Sequence, residues 1–90
     1  MKPGDVYRKN THYICWLYKT ITDNGALMSL KKDDEFMVLD FATVKQNSLT
    51  ELISVQVIGI NREFFGWVLT SIVDKDGDTR KTTQHWEKTA

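Results

Sequence analysis

Residues 63–74 read E-F-F-G-W-V-L-T-S-I-V-D, and neither alternate set of their side chains is polar enough to face water. One set is Phe64, Gly66, Val68, Thr70 and Ile72; the other is Phe65, Trp67, Leu69, Ser71 and Val73. A strand over a one-sided core alternates apolar-in with polar-out, so a strand apolar on both faces needs cover on its second side. Residues 35–42 repeat the pattern, with Phe36 and Val38 opposite Met37, Leu39 and Phe41. In a chain of 90 residues that second cover is expected from another subunit.

This length makes one domain, with a core that is marginal without a metal, a disulfide or a partner. The single cysteine, Cys15, lies in an apolar run, where a free thiol behaves as a small hydrophobe. The N-terminal residues show no signal-peptide pattern, and no run approaches the roughly 20 apolar residues of a membrane span. These readings predict a soluble, cytoplasmic protein that does not enter a membrane. Twelve Lys and Arg balance twelve Asp and Glu. Zero net charge removes the simplest argument for nucleic acid, a strongly basic domain, and permits close association of like subunits.

The strand signals follow one another quickly. Residues 6–8 lead to a long β-rich run over 12–22, too long at the usual rise for a small barrel, so it is expected to bend around a corner or project as a ribbon. Asp23-Asn24-Gly25 signals a hairpin returning through residues 26–30. Residues 31–34 form a polar turn, 35–42 a strand, and 43–50 a loop or single helical turn. Residues 52–60 and 63–74 are expected to pair across a tight Asn61-Arg62 turn, and Asp76-Gly77 to return a last strand over 78–83. No window carries a helical period. The prediction is an all-β, strongly bent antiparallel barrel of five to six strands, spanning residues 1–83. Residues 84–90 are expected as a polar, partly disordered tail.

The stretch I-S-V-Q-V-I over residues 53–58, followed by R-E-F-F-G-W-V-L-T-S-I over 62–72, resembles the first motif of Sm/LSm proteins. It shares an alternating apolar strand, a polar turn with a basic residue, an aromatic, a glycine and a second long apolar strand. Residues 30–40 and the later F-G-W-V over 65–68 are similar to bacterial SH3-like barrels. Gly66 holds the position where a bent strand curls without a Cβ clash. The Sm resemblance implies assembly into a ring by edge-to-edge strand pairing, which would cover two-faced strands and open edges. It carries no uridine-binding residue over, because Asp74 is followed by Lys75, Asp76 and Gly77 without the asparagine, and no Arg-Gly pair occurs.

Catalytic and metal patterns fail on spacing. Counted from Asp74 as the first position of an EF-hand loop, the required glycine and glutamate fall on Thr79 and His85. His12 and His85 have no cysteine or histidine at zinc spacing. His12 and Cys15, three apart on a strand, point to opposite faces, and no serine has a nucleophile-elbow context. No enzyme activity and no cofactor are expected.

The remaining chemistry is aromatic and basic. Small barrels bind single-stranded nucleic acid by stacking bases on aromatics and following phosphates with Lys and Arg. The expected contacts are the turn residues Lys31, Lys32, Asn61 and Arg62, with Trp67 as an aromatic beside them. Arg62 is favoured because a two-residue turn must expose it. The leading expectation is therefore a non-enzymatic, ring-forming homo-oligomer that binds RNA or single-stranded DNA. Two alternatives stand beside it: a peptide-binding SH3-like module using Tyr7, Tyr18 and Trp67, and a purely structural subunit of a larger assembly.

Overall fold

The computed structural model describes residues 1–20, 25–47, 49–74, 79–81 and 86–90. These form one antiparallel, strongly curled sheet, and no helix occurs among them. Its strands are β1 (Val6–Lys9), β2 (Cys15–Tyr18), β3 (Ala26–Leu30), β4 (Glu35–Asn47), β5 (Thr50–Gly59), β6 (Phe65–Val73), β7 (Thr79–Lys81) and β8 (Trp86–Lys88). Seven run in the order β3-β2-β6-β5-β4-β1-β8, and β7 pairs with the far half of β6. The ladders leave β3 and β8 at the two ends of this order, so the sheet curls without a ladder joining its ends.

Alternation on the central strands directs one set of side chains into the curl. Val38, Val57, Val55 and Val68 are buried on neighbouring strands together with Phe36, Leu17 and Leu30. Phe36 is fully enclosed, stacked on Tyr7 at a ring separation of 6.1 Å and meeting the edge of Trp86 at 5.3 Å. β-Branched residues suit this pleated, tightly packed interior because their side chains lose little freedom there.

Two glycines mark where backbone must approach backbone. A Cβ on Gly66 would meet the Tyr18 carbonyl oxygen at 2.5 Å, so the glycine lets β2 lie against β6. A Cβ on Gly59 would come within 2.0 Å of the Arg62 carbonyl oxygen and 2.7 Å of the Phe64 ring. Gly59 thus allows the β5–β6 connection to fold back onto the end of its own strand.

The structure departs from the sequence reading at several points. Eight strands are present where five to six are expected. The long run over 12–22 is regular only at Cys15–Tyr18, with residues 21–24 outside the described residues. Residues 43–47, read as loop or helical turn, continue β4, because pairing with β5 runs from Phe36↔Gly59 to Asn47↔Thr50. The β5–β6 link is not a two-residue turn: β5 ends at Gly59 and β6 starts at Phe65. The C-terminal tail is not a polar appendage, since β8 pairs antiparallel with β1 and Trp86 is only 6% exposed. The Asp76-Gly77 turn lies outside the described residues, although β7 does return along β6 over Ser71–Val73.

Candidate functional site

The β3–β4 turn is the most heavily tied segment of the surface. Asp33 adopts a positive φ of 74°, a conformation that aspartate tolerates better than most residues. The chain then turns back so that the buried Asp34 carboxylate accepts the Lys31 backbone N–H at 2.6 Å. Arg62, reaching over from the β5–β6 loop, donates to both oxygens of the same carboxylate, Nε at 3.1 Å and a terminal nitrogen at 2.6 Å. That terminal nitrogen also donates to the Ser29 carbonyl at 3.3 Å, and the guanidinium lies 5.7 Å from the centre of the Phe64 ring. A two-point Arg–carboxylate contact fixes direction as well as distance. Asn61 repeats the link: its Nδ2 donates to the Asp33 carbonyl at 2.7 Å and its Oδ1 accepts the Glu35 N–H at 2.9 Å.

Among the five residues expected to contact nucleic acid, the structure brings Lys31, Lys32, Asn61 and Arg62 into this one corner. Their roles differ. The Asn61 amide and the Arg62 guanidinium are engaged in holding the β3–β4 turn to the β5–β6 loop, whereas Lys31 and Lys32 are exposed. Trp67 stands in mid-sheet on β6, in register with Gln56 on one side and Tyr18 on the other. Tyr18 and Trp67 are therefore cross-strand partners, whereas Tyr7 packs on Phe36 from β1, three strands away from β6.

Beside the turn, the β2–β3 ribbon splays open beyond its last pair, Cys15↔Leu30. The opening is a cleft of about 490 Å³ with His12, Tyr13 and Ile14 on one wall and Lys31, Lys32 and Asp33 on the other. Tyr13 is 69% exposed. Behind this cleft lies Lys9, only 1% exposed, whose ammonium group donates to the Thr11 carbonyl and reaches the Thr11 hydroxyl at 3.5 Å. Burial pushes the Cys15 thiol above its ordinary pKa, and the positive charge of Lys9 offsets part of that rise. A thiol held protonated in this way is a poor nucleophile at neutral pH.

A second, shallower hollow of about 560 Å³ runs along the β5–β6 loop from Ile58 to Phe65. Ile58, Ile60 and Phe65 are all exposed there. No cluster of three or more His, Cys, Asp or Glu side chains with metal-ligand placement occurs among the described residues. No helix among them is long and apolar enough to cross a membrane.

Sequence reasoning missed two features of this corner. The bond from Arg62 to Asp34 spans 28 positions, and nothing local marks it. The His12–Ile14 wall was hidden inside the long strand reading over 12–22, and nothing local in the sequence sets it beside the Lys31-Lys32 pair. No family model, curated protein or solved structure matches this chain.

Proposed function

We propose that this chain is a non-enzymatic, homo-oligomeric small β-barrel subunit, SH3-like or Sm-like, that binds single-stranded RNA or DNA at the open end of its β2–β3 ribbon. The observation that carries the reading is one cleft lined by exposed Tyr13 and by the exposed Lys31 and Lys32. A base stacked on an aromatic ring contributes roughly 1–3 kcal/mol, and a lysine that neutralises a phosphate releases a counterion. The meander β4-β5-β6, with β1 and β8 paired beside it, supports the small-barrel part of the reading.

The surface is narrower than the one the sequence suggests. Arg62 and Asn61 position the turn that carries the lysines, and the proposed direct contacts are Tyr13, Lys31 and Lys32. Asp33 on the same wall offsets part of their field, and Arg62 neutralises Asp34. Binding is therefore expected to weaken steeply with salt.

Fluorescence anisotropy with labelled oligouridylate and oligothymidylate at two salt concentrations tests the proposal. Lys31→Ala/Lys32→Ala is expected to lower affinity at least about tenfold and to reduce the salt slope by about two. Tyr13→Ala is expected to lose roughly 1–3 kcal/mol of binding with the slope unchanged. Absence of binding to either strand, or binding that both variants leave intact, overturns the assignment.

A further inference from the structure

The strand edges of this sheet differ in what they offer the edge-to-edge ring that the Sm resemblance implies. The outer side of β6 is already paired, by β2 at Tyr18↔Trp67 and by β7 along Ser71–Val73. The terminal strands of the order, β3 and β8, are five and three residues long. Edges this short offer few backbone groups to a neighbour; among the described residues the longer open edge is the outer side of β4 from Phe41 onward, which β1 does not reach.

The outer face of the sheet is different. Met37, Ile58 and Phe65 form one cross-strand row, and Gln56, Trp67 and Tyr18 form the next. Ile58 is 40% exposed and Phe65 55%, and Trp16, two residues before Tyr18, is exposed as well. Only Asp40, at the end of the second row beside Gln56, carries a charge. From the typical areas of such side chains, the patch leaves on the order of 500 Å² of apolar surface in water, at the upper end for a monomer. With its polar border it approaches the ~800 Å² per partner of a standard interface.

We infer that this face docks a second copy of the chain in a two-fold, face-to-face dimer, so that assembly runs through the sheet surface. The inference rests on the subunit reading above and is independent of the nucleic-acid part. The two rows are nearly uncharged and the adjoining row pairs Arg8 with Glu35 and Glu87, so a copy meets the patch with little like-charge repulsion, and the chain as a whole has no net charge to oppose the approach. A two-fold contact sets each residue against its own equivalent or a neighbour of it. Gln56, central among the apolar side chains, offers an amide that both donates and accepts, so two copies of it satisfy one another across the axis. The second cover that residues 63–74 require is then the same surface on the partner.

Light scattering after size-exclusion chromatography, at low and high salt and over a range of concentrations, tests this directly. The expected mass is twice the 10.4 kDa of the chain, persisting in high salt. Ile58→Asp and Phe65→Asp are expected to weaken dimerisation on the order of 100-fold while leaving the circular dichroism spectrum unchanged. Should Ile58→Asp fail to fold, Phe65→Asp, at a more exposed position, decides the matter. Phe41→Asp, exposed but outside the two rows, is expected to keep the dimer. A wild-type monomer, a larger ring, or a dimer indifferent to both face variants overturns the inference. Lys31→Ala/Lys32→Ala is expected to remain dimeric, so loss of oligonucleotide binding and loss of assembly report on separate surfaces.

Discussion

Strand β4 begins in one kind of environment and ends in another. Its first residues, Glu35–Val38, run beneath β1 and β8, where Phe36 is fully buried between Tyr7 and Trp86. From Phe41 onward it pairs only with β5, and no described residue from Leu39 to Ser54 is buried. The near end is held by side-chain packing, by the Arg62–Asp34 pair and by the bonds of Asn61 to the Asp33 and Glu35 backbone. At the far end the backbone ladder does more of the work, with Val44, Leu52, Ile53 and Ile72 half-buried and only the Thr70 side chain enclosed, its hydroxyl donating to the Ile53 carbonyl at 3.1 Å. The molecule is accordingly elongated, 38 Å in its longest dimension against 24 and 23 Å in the others. A chain of this length fills one compact core, and the strand length beyond it remains apolar without being enclosed.

The largest expected effect separates the two ends with a single residue type. Phe36 is 0% exposed and Phe41, five positions on in the same strand, is 58% exposed. Phe36→Ala is expected to cost about 3–5 kcal/mol of folding stability, from lost burial and the cavity left beside Tyr7 and Trp86. Phe41→Ala should cost less than about 1 kcal/mol. Urea unfolding of both variants measures the difference. Equal costs would mean that the far end is as tightly packed as the near end.

The polar lock ranks next. Asp34→Ala removes the acceptor for the Lys31 N–H and for two nitrogens of Arg62. Breaking a buried pair strands its partner, at about 3–5 kcal/mol when both groups are enclosed. The Arg62 side chain keeps 34% of its exposure, and the liberated guanidinium can turn to water, so a cost of about 1–3 kcal/mol is expected. Arg62→Ala leaves the Asp34 carboxylate, only 9% exposed, without its cation and should cost at least as much. Denaturant midpoints rank the two variants. Asp34→Ala should also weaken oligonucleotide binding without touching Tyr13, because the lysine turn loses its anchor.

How much of this was legible in the sequence depends on how far apart the interacting residues are. The strand over 26–30, the turn over 31–34 and the start of β4 at Glu35 follow from local alternation and turn chemistry, and the structure has them at those positions. The two-faced character of β4 and β6 was legible too, and it accounts for the exposed Phe41 and Phe65. Trp86 was not. A lone tryptophan among polar residues gives no periodic signal, and its strand pairs with Arg8 and Lys9 at the opposite end of the chain. Its indole N–H is buried without a hydrogen-bond partner among the described residues, so apolar packing against Phe36 outweighs the unmet bond. The burial of Lys9 was not legible either, since lysine normally marks solvent. Here it lies on the inner face, with its ammonium group on Thr11. For the candidate site, sequence placed the lysines correctly at a turn but read Arg62 as free, because its carboxylate partner is distant in the chain.

The smallest expected effect concerns the other attachment of the near end, where the N-terminal turn meets β8. The Asp5 carboxylate accepts the Lys2 backbone N–H at 3.0 Å and lies 3.5 Å from the Lys88 ammonium group. The hydrogen bond from Lys2 first, and the charge of Lys88 after it, hold the Asp5 carboxyl below its ordinary pKa. A carboxyl whose pKa is lowered by folding stabilises the fold above its unfolded value of about 4 and loses that contribution as pH falls through the lowered value. Asp5→Asn is therefore expected to reduce the melting temperature slightly at pH 7 and not at all once the wild-type carboxyl is protonated. High salt should shrink the difference at pH 7, since the site is open to solvent. Melting curves at neutral and strongly acidic pH read this out. A deficit that persists in acid would assign the role of Asp5 to turn geometry. One that vanishes would show charge pairing tying the N-terminal turn to β8, a tie that complements the apolar anchor of Trp86, whereas the far half of β4 pairs, among the described residues, with β5 alone.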